Sequence, residues 1–150
     1  MIVVTVGTQF FDELIEEVDR LVASGRIRDK VWAQIGLAQR APQHLDYVLF
    51  DAGLVDRARR ADLIISHSGT GSLCEFITLG RPLIAVVNPS KADNHQLEFV
   101  QELSRFYDYC WISSPDRLGE ALAHPRIPVA RRRSTLPELA RDIRAALVGR

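Results

Sequence analysis

Cysteine is scarce in this chain: Cys74 and Cys110 are the only two, far apart and in no C-x-x-C pair. That count excludes a disulfide scaffold and a thiolate metal site, and it suits a reducing compartment. Net charge is absent too, since 19 Lys and Arg balance 19 Asp and Glu. No general field therefore draws the chain to nucleic acid or acidic lipid, and only local patches could do so. No run approaches the roughly 18 apolar residues that span a bilayer. Met1-Ile2-Val3-Val4 leads directly into a strand, with no basic leader or cleavage site, so the chain reads as cytoplasmic, neither spanning a membrane nor exported. Repeats and low-complexity tracts are missing. There is no G-x-G-x-x-G after the first strand, no Gly-Lys-Ser/Thr and no G-x-S-x-G. Those absences speak against a nicotinamide-type site, a P-loop and a hydrolase elbow. His44, His67, His95 and His124 include no i, i+4 pair, and no paired carboxylates accompany the loops, so no metal cofactor is expected.

What is present is an alternation of strands and helices. At 47% hydrophobic and 25% charged over 150 residues, the chain suits one globular domain, 1–150, with a substantial core. Ile2–Val6, Leu63–Ser66 and Leu83–Val87 are apolar throughout or nearly so, as strands buried on both faces are. Val31–Ile35, Leu45–Phe50 and Tyr109–Ile112 add three more. Between them fall a helix carrying Phe11, Leu14, Ile15, Val18, Leu21 and Val22 with a stop at Gly25, and a short one over Gly53–Arg60. Further helices run from the glycine-rich loop to Leu79-Gly80, from about Asn94 to Arg105 and from Pro115 to Ala123. A closing helix bears a Thr135/Glu138 capping box and a stripe of Leu136, Leu139, Ile143 and Leu147. The pattern predicts an α/β fold: a Rossmann-like parallel sheet with helices on both faces. Ligands of such sheets bind outside the carboxyl ends of the strands. Here those ends are Gly7–Gln9, Gly36–Ala38, His67–Gly71 and Asn88–Asp93, all rich in glycine or small polar residues.

The stretch Ile64-Ile65-Ser66-His67-Ser68-Gly69-Thr70-Gly71-Ser72-Leu73-Cys74-Glu75 carries the most information. A strand enters a loop of small and hydroxyl residues and leaves as a helix. Backbone N–H groups converge there and the helix dipole favours an anion. Gly69 and Gly71 admit a ligand close to the backbone, and Ser68, Thr70 and Ser72 offer hydroxyl donors. Glu75 would repel a phosphate but suits the two hydroxyls of a ribose, so the loop reads as a nucleotide-diphosphate site. The structural alternative makes Ser72 an N-cap and Glu75 its reciprocal capping-box partner. A second constellation, Asp93-Asn94-His95-Gln96, has the mixed donors and acceptors that sugar hydroxyls require, with Asp93 equally able to be a helix cap. His67 beside Ser68 reads as a neutral structural histidine. Arg131-Arg132-Arg133 is a solvated run or a contact for acidic headgroups or a partner.

Val4-Thr5-Val6-Gly7-Thr8, Phe11-Asp12-Glu13-Leu14-Ile15, Gln34-Ile35-Gly36, Ile65 to Ser72, Glu75, Leu79-Gly80-Arg81-Pro82 and Asp93 to Leu97 occur in an order that resembles a known family. From Met1 to about Leu103 the chain is similar to the C-terminal, donor-binding half of GT-B glycosyltransferases. The resemblance is to the small subunits of two-part enzymes, of the dolichol-pathway UDP-N-acetylglucosamine and bacterial exopolysaccharide types. A more distant likeness is to the second half of the bacterial muramyl-pathway N-acetylglucosaminyltransferase. It implies that Glu75 binds the ribose and that Ser68, Gly69, Thr70, Gly71 and Ser72 hold the diphosphate. Gly7 and Thr8 would help position it, and Asn94, His95 and Gln96 would contact the donor sugar. It further implies a UDP-sugar substrate without metal, inverting transfer to a lipid-linked acceptor, and a membrane-anchored partner supplying the acceptor half. The chain would then be peripherally membrane-associated through that partner, and could pair with itself when alone. The catalytic base is not identified, although His95 is a candidate. A non-catalytic UDP-sugar-binding or regulatory module is the alternative.

Overall fold

The computed structural model describes residues 1–90, 94–131, 141 and 144. Its strands are β1 (Ile2–Thr5), β2 (Val31–Gln34), β3 (Asp46–Val48), β4 (Leu63–His67), β5 (Leu83–Val86), β6 (Tyr107–Asp108), β7 (Cys110–Ile112) and β8 (Val129–Ala130). Its helices are α1 (Asp12–Ala23), α2 (Leu54–Arg59), α3 (Thr70–Phe76), α4 (His95–Leu103) and α5 (Leu118–Ala121). Six strands form a sheet in the order β3-β2-β1-β4-β5-β7, and every pairing in it is parallel. The α/β, Rossmann-like expectation therefore holds.

Alternation along the strands explains the layering. Ile2 and Val4 face one core with Leu14, Ile15, Val18 and Leu21 of α1 and Leu118 of α5. Val3 and Ile64 face the other with Ala58 of α2, Leu73 and Phe76 of α3 and Phe99, Val100 and Leu103 of α4. Both faces are covered, which is why β1, β2, β4 and β5 are buried along their whole length. Cys74 and Cys110 are free and lie in opposite cores. Burial pushes both thiols above their ordinary range, which keeps them protonated and unreactive near neutrality.

Several expected boundaries move. β3 spans only Asp46–Val48, and Leu49 and Phe50 leave the sheet exposed. α3 stops at Phe76, with Ile77–Leu79 as a turn before Gly80 at φ +68°. The predicted helix over 115–123 is a 3₁₀ turn, Pro115–Arg117, continued by α5. Tyr109 falls outside β7, and the preceding β6 pairs with β8 as a small antiparallel sheet. The closing helix with its Thr135/Glu138 box, Asp93 and Arg132-Arg133 lie outside the described residues.

The connection from β2 to β3 is fastened to α1. Asp12 accepts from the Gln39 N–H at 2.9 Å, and Arg40 pairs with Glu16 at 3.2 Å. Asp19 accepts from the backbone N–H groups of Gln43 and His44 at 3.1 and 2.7 Å. Partial burial works to raise the Asp19 pKa, but these bonds and the His44 ring outweigh it and hold the carboxyl below its ordinary range. A depressed carboxylate pKa stabilises the fold above the unfolded-state value and loses that effect as pH falls through the folded one. The stability advantage of the wild type over Asp19→Asn should therefore shrink below about pH 4, measured by urea unfolding across pH. A gap that stays constant with pH would contradict this role.

Candidate functional site

The chain runs outward from β1 to β2 and β3 on one side, then returns to β4, β5 and β7 on the other. The direction of winding therefore reverses between β1 and β4, and the carboxyl ends at such a switch point are where ligands of these sheets bind. The loops that follow these two strands, 6–9 and 68–69, are the two richest in the expected site residues.

Glycine sets their spacing. The His67 ring, 4% exposed, is packed between Gly7 and Gly69. A Cβ at Gly7 would fall 2.7 Å from its Cε1, and one at Gly69 would fall 2.3 Å from its Nε2. The buried His67 ring thus sets the spacing of the two loops, and only glycine fits on either side. Gly7 also has φ +64°, its N–H donates to Thr5 Oγ1 at 3.0 Å, and its C=O accepts from Gln34 Nε2 at 3.0 Å. Gln34 Oε1 in turn accepts from the Asp51 N–H at 2.9 Å. Gln34, 2% exposed, therefore staples the first loop to the loop after β3.

α3 begins at Thr70 with Gly69 at the N-cap and no capping side chain. The Ser72/Glu75 capping box is thus not formed: both residues lie inside the helix. The N–H groups of Thr70, Gly71 and Ser72 have no intrahelical acceptor, as at any helix start. Thr70 and Gly71 are exposed and Ser72 is half-buried. A Cβ at Gly71 would meet nothing within 4 Å, so this turn faces open space. Ser68 is 1% exposed, and its Oγ is buried without a hydrogen-bond partner. Such an orphan is uncommon and points to a missing one. Glu75 is exposed one turn beyond Gly71 and Ser72, and helical side chains lean toward the N-terminus, here toward the loop.

The 94–96 segment starts α4 at the same carboxyl edge of the sheet. Asn94 stands at φ +50°, the one positive-φ non-glycine among the described residues, and starts α4. Asn94 and His95 are exposed, whereas Gln96 is 8% exposed. Gln96 Oε1 accepts from the Asn88 N–H at 3.0 Å and its Nε2 donates to Gln9 Oε1 at 3.2 Å. Its amide is thus engaged within the chain, tying α4 to the first loop. Asn88 Nδ2 donates to the Phe10 C=O at 3.2 Å. The structure so brings Gly7, Thr8, Ser68 to Ser72 and Asn94 to Gln96 to one edge. The buried staples Gln34 and Asn88 and the half-buried Gln9 are not evident as such from residue type. The available signal was a polar residue closing an apolar strand, as in Val31-Trp32-Ala33-Gln34.

The profile of the Glycosyltransferase family 28 C-terminal domain matches residues 1–125. The chain belongs to this family. Among relatives of the family 28 domain is the human UDP-N-acetylglucosamine transferase subunit ALG13, 34% identical over 122 residues, which cover 71% of this chain and 11% of that protein. The subunit of the same name from Yarrowia lipolytica is 33% identical over 118 residues, 70% of this chain and 60% of its own length. The chain thus spans about a ninth of the human relative. The NMR solution structure of ALG13 superposes with TM-score 0.55 at 24% identity, over 93% of this chain and 92% of that one. The crystal structure of the glycotransferase of kitacinnamycin gives 0.56 at 18% identity, over 97% of this chain and 37% of that one. The fold is accordingly that of one half of a GT-B glycosyltransferase. Among the described residues no group of three His, Cys, Asp or Glu could hold a metal ion, and no helix is long and apolar enough to cross a membrane.

Proposed function

We propose that this chain is the donor-binding subunit of a two-part glycosyltransferase. It binds a UDP-sugar and, with a membrane-anchored partner, transfers the sugar with inversion to a lipid-linked acceptor at the cytoplasmic membrane face. The observation that carries the reading is the open α3 turn at the β1/β4 switch point in a family 28 domain. The name shared by these relatives, UDP-N-acetylglucosamine transferase subunit, supports UDP-N-acetylglucosamine as the donor.

In this reading the N–H groups of Thr70, Gly71 and Ser72, with the Thr70 hydroxyl, hold the diphosphate while Gly7 and Thr8 flank it, and the buried Ser68 lies beneath them. As the glycosidic bond breaks, negative charge grows on the departing diphosphate. These fixed donors, with no metal, stabilise it without reorganising. Glu75 accepts from both ribose hydroxyls. Asn94 and His95 meet the sugar, and Gln96 keeps their helix in place. His95 is also the candidate proton acceptor for the attacking hydroxyl.

The test is turnover. Membranes stripped of peripheral proteins, from cells that produce this chain, are given radiolabelled UDP-N-acetylglucosamine with and without the purified chain. Label entering the lipid extract only when the chain is added is the expected result. Tight UDP binding without any chain-dependent transfer, from this or other UDP-sugars, would leave a non-catalytic module instead.

A further inference from the structure

Four large apolar side chains stand in water at the carboxyl edge of the sheet, and the donor site uses none of them. Phe10 is 56% exposed, Leu37 57%, Leu49 62% and Phe50 66%. They are neighbours, because main-chain bonds join the loops that carry them. The Leu37 N–H donates to the Gln9 C=O at 3.3 Å, and the Gly36 N–H to the Leu49 C=O at 3.0 Å. A contiguous exposed apolar patch of this kind marks an interaction surface.

Its border is acidic. Asp12, Glu13 and Glu16 come from α1 and Asp51 from the loop after β3. Among the described residues the border's cations, Arg40 and Arg57, are engaged, by Glu16 at 3.2 Å and by Asp51 at 3.3 Å. Asp12 and Glu13 have neutral partners, the Gln39 N–H and Ser90 Oγ. Between patch and α1 opens a hollow of about 490 Å³ whose charged lining is Asp12, Glu13 and the Glu16–Arg40 pair, with Phe10 and Asn88 beside them, which leaves its net charge negative. A second copy offering the same patch would set acidic rim against acidic rim, and an anionic bilayer would repel it. The complement is a protein face with an apolar centre and a Lys/Arg rim. One of its cations would enter the hollow over the Phe10 ring, beside Asp12 and Glu13.

We propose that Phe10, Leu37, Leu49 and Phe50 dock the acceptor-binding subunit, through an apolar face with a basic rim. This rests on the two-part reading above and deepens it. Gly7 and Thr8 immediately precede Gln9 and Phe10, so a subunit seated on the patch also roofs the donor crevice.

The test uses the whole chain, the double variant Leu49→Asp/Phe50→Asp and Glu13→Lys. Each is sedimented with stripped membranes, with the same membranes after trypsin, and with protein-free vesicles made from their lipids. Circular dichroism and urea unfolding check that each variant is folded, and UDP titration reads the donor site separately. The wild type should bind only the untreated membranes, more weakly as salt rises from about 0.05 to about 0.5 M. The double variant should lose at least about tenfold in binding and Glu13→Lys should also weaken it, both with unchanged UDP affinity. Equal binding by the double variant, no membrane binding by the wild type, or binding to protein-free vesicles would overturn the proposal. So would a concentration-dependent dimer, by sedimentation velocity, that the double variant abolishes. Trypsin-sensitive, patch-dependent binding by a chain that takes up no UDP would keep the docking surface and remove the donor reading.

Discussion

Gly36→Ala is expected to destabilise the protein by about 3 kcal/mol. Gly36 sits at φ +56°, and a Cβ there would lie 2.8 Å from the Gln9 C=O oxygen and 2.9 Å from that of Gly7. The left-handed backbone alone costs an alanine roughly 1–2 kcal/mol. The two oxygens add to this because they are main chain and cannot swing aside. The Gly7 oxygen is also held by Gln34 at 3.0 Å, and Gly7 is backed by the His67 ring on its other side, so relief requires the whole 7–9 loop to shift. UDP affinity should therefore fall together with stability. Gly71→Ala is the control. A Cβ there meets nothing within 4 Å, and alanine is the better helix residue. That variant should be as stable as the wild type or more so by up to about 1 kcal/mol, yet bind UDP less well, because the methyl occupies the ligand's space. Denaturant unfolding of both reads the difference, and a Gly36→Ala protein as stable as the wild type would contradict the packing described for the crevice.

Glu75→Ala should lower UDP affinity by roughly 30-fold, about 2 kcal/mol, the scale of a charge-assisted hydrogen bond. Glu75 is exposed on α3, so the fold should survive the change and the unfolding midpoint should hardly move. Glu75→Gln keeps an acceptor without the charge and should fall between the two. A UDP analogue lacking the ribose 2′-hydroxyl supplies the cycle: it should bind the wild type more weakly and be less sensitive to Glu75→Ala than UDP is. Identical losses for UDP and the analogue would place Glu75 away from the ribose.

The parallel sheet was legible because β4 and β5 are short apolar runs that only a doubly covered sheet can bury. The strand-to-helix turn was legible because Ser68-Gly69-Thr70-Gly71 breaks an apolar strand with small residues just before a helical run. Boundaries were harder to read. Leu49 and Phe50 look like the end of β3 by composition, but their side chains have no core to enter and remain on the surface. Ser72 looks like a cap by type, yet Gly69 in extended conformation starts α3 three residues earlier. Pairing of β6 with β8 joins segments some twenty residues apart with no periodic signal. The staples Gln34 and Gln96 depend on which loops meet in space, which spacing along the chain does not encode. For Gln96 this distinction matters: the sequence offers a sugar ligand, and the structure finds its amide bonded to Asn88 and Gln9.

Whether the carboxyl edge between β1 and β4 is a uridine-nucleotide site is decided by calorimetric titration of the purified chain with UDP, ADP and NAD, without added metal. The account predicts saturable UDP binding, weaker ADP binding and no NAD binding. NAD taken up in preference to UDP, or no uridine nucleotide bound even with the partner subunit present, would contradict it.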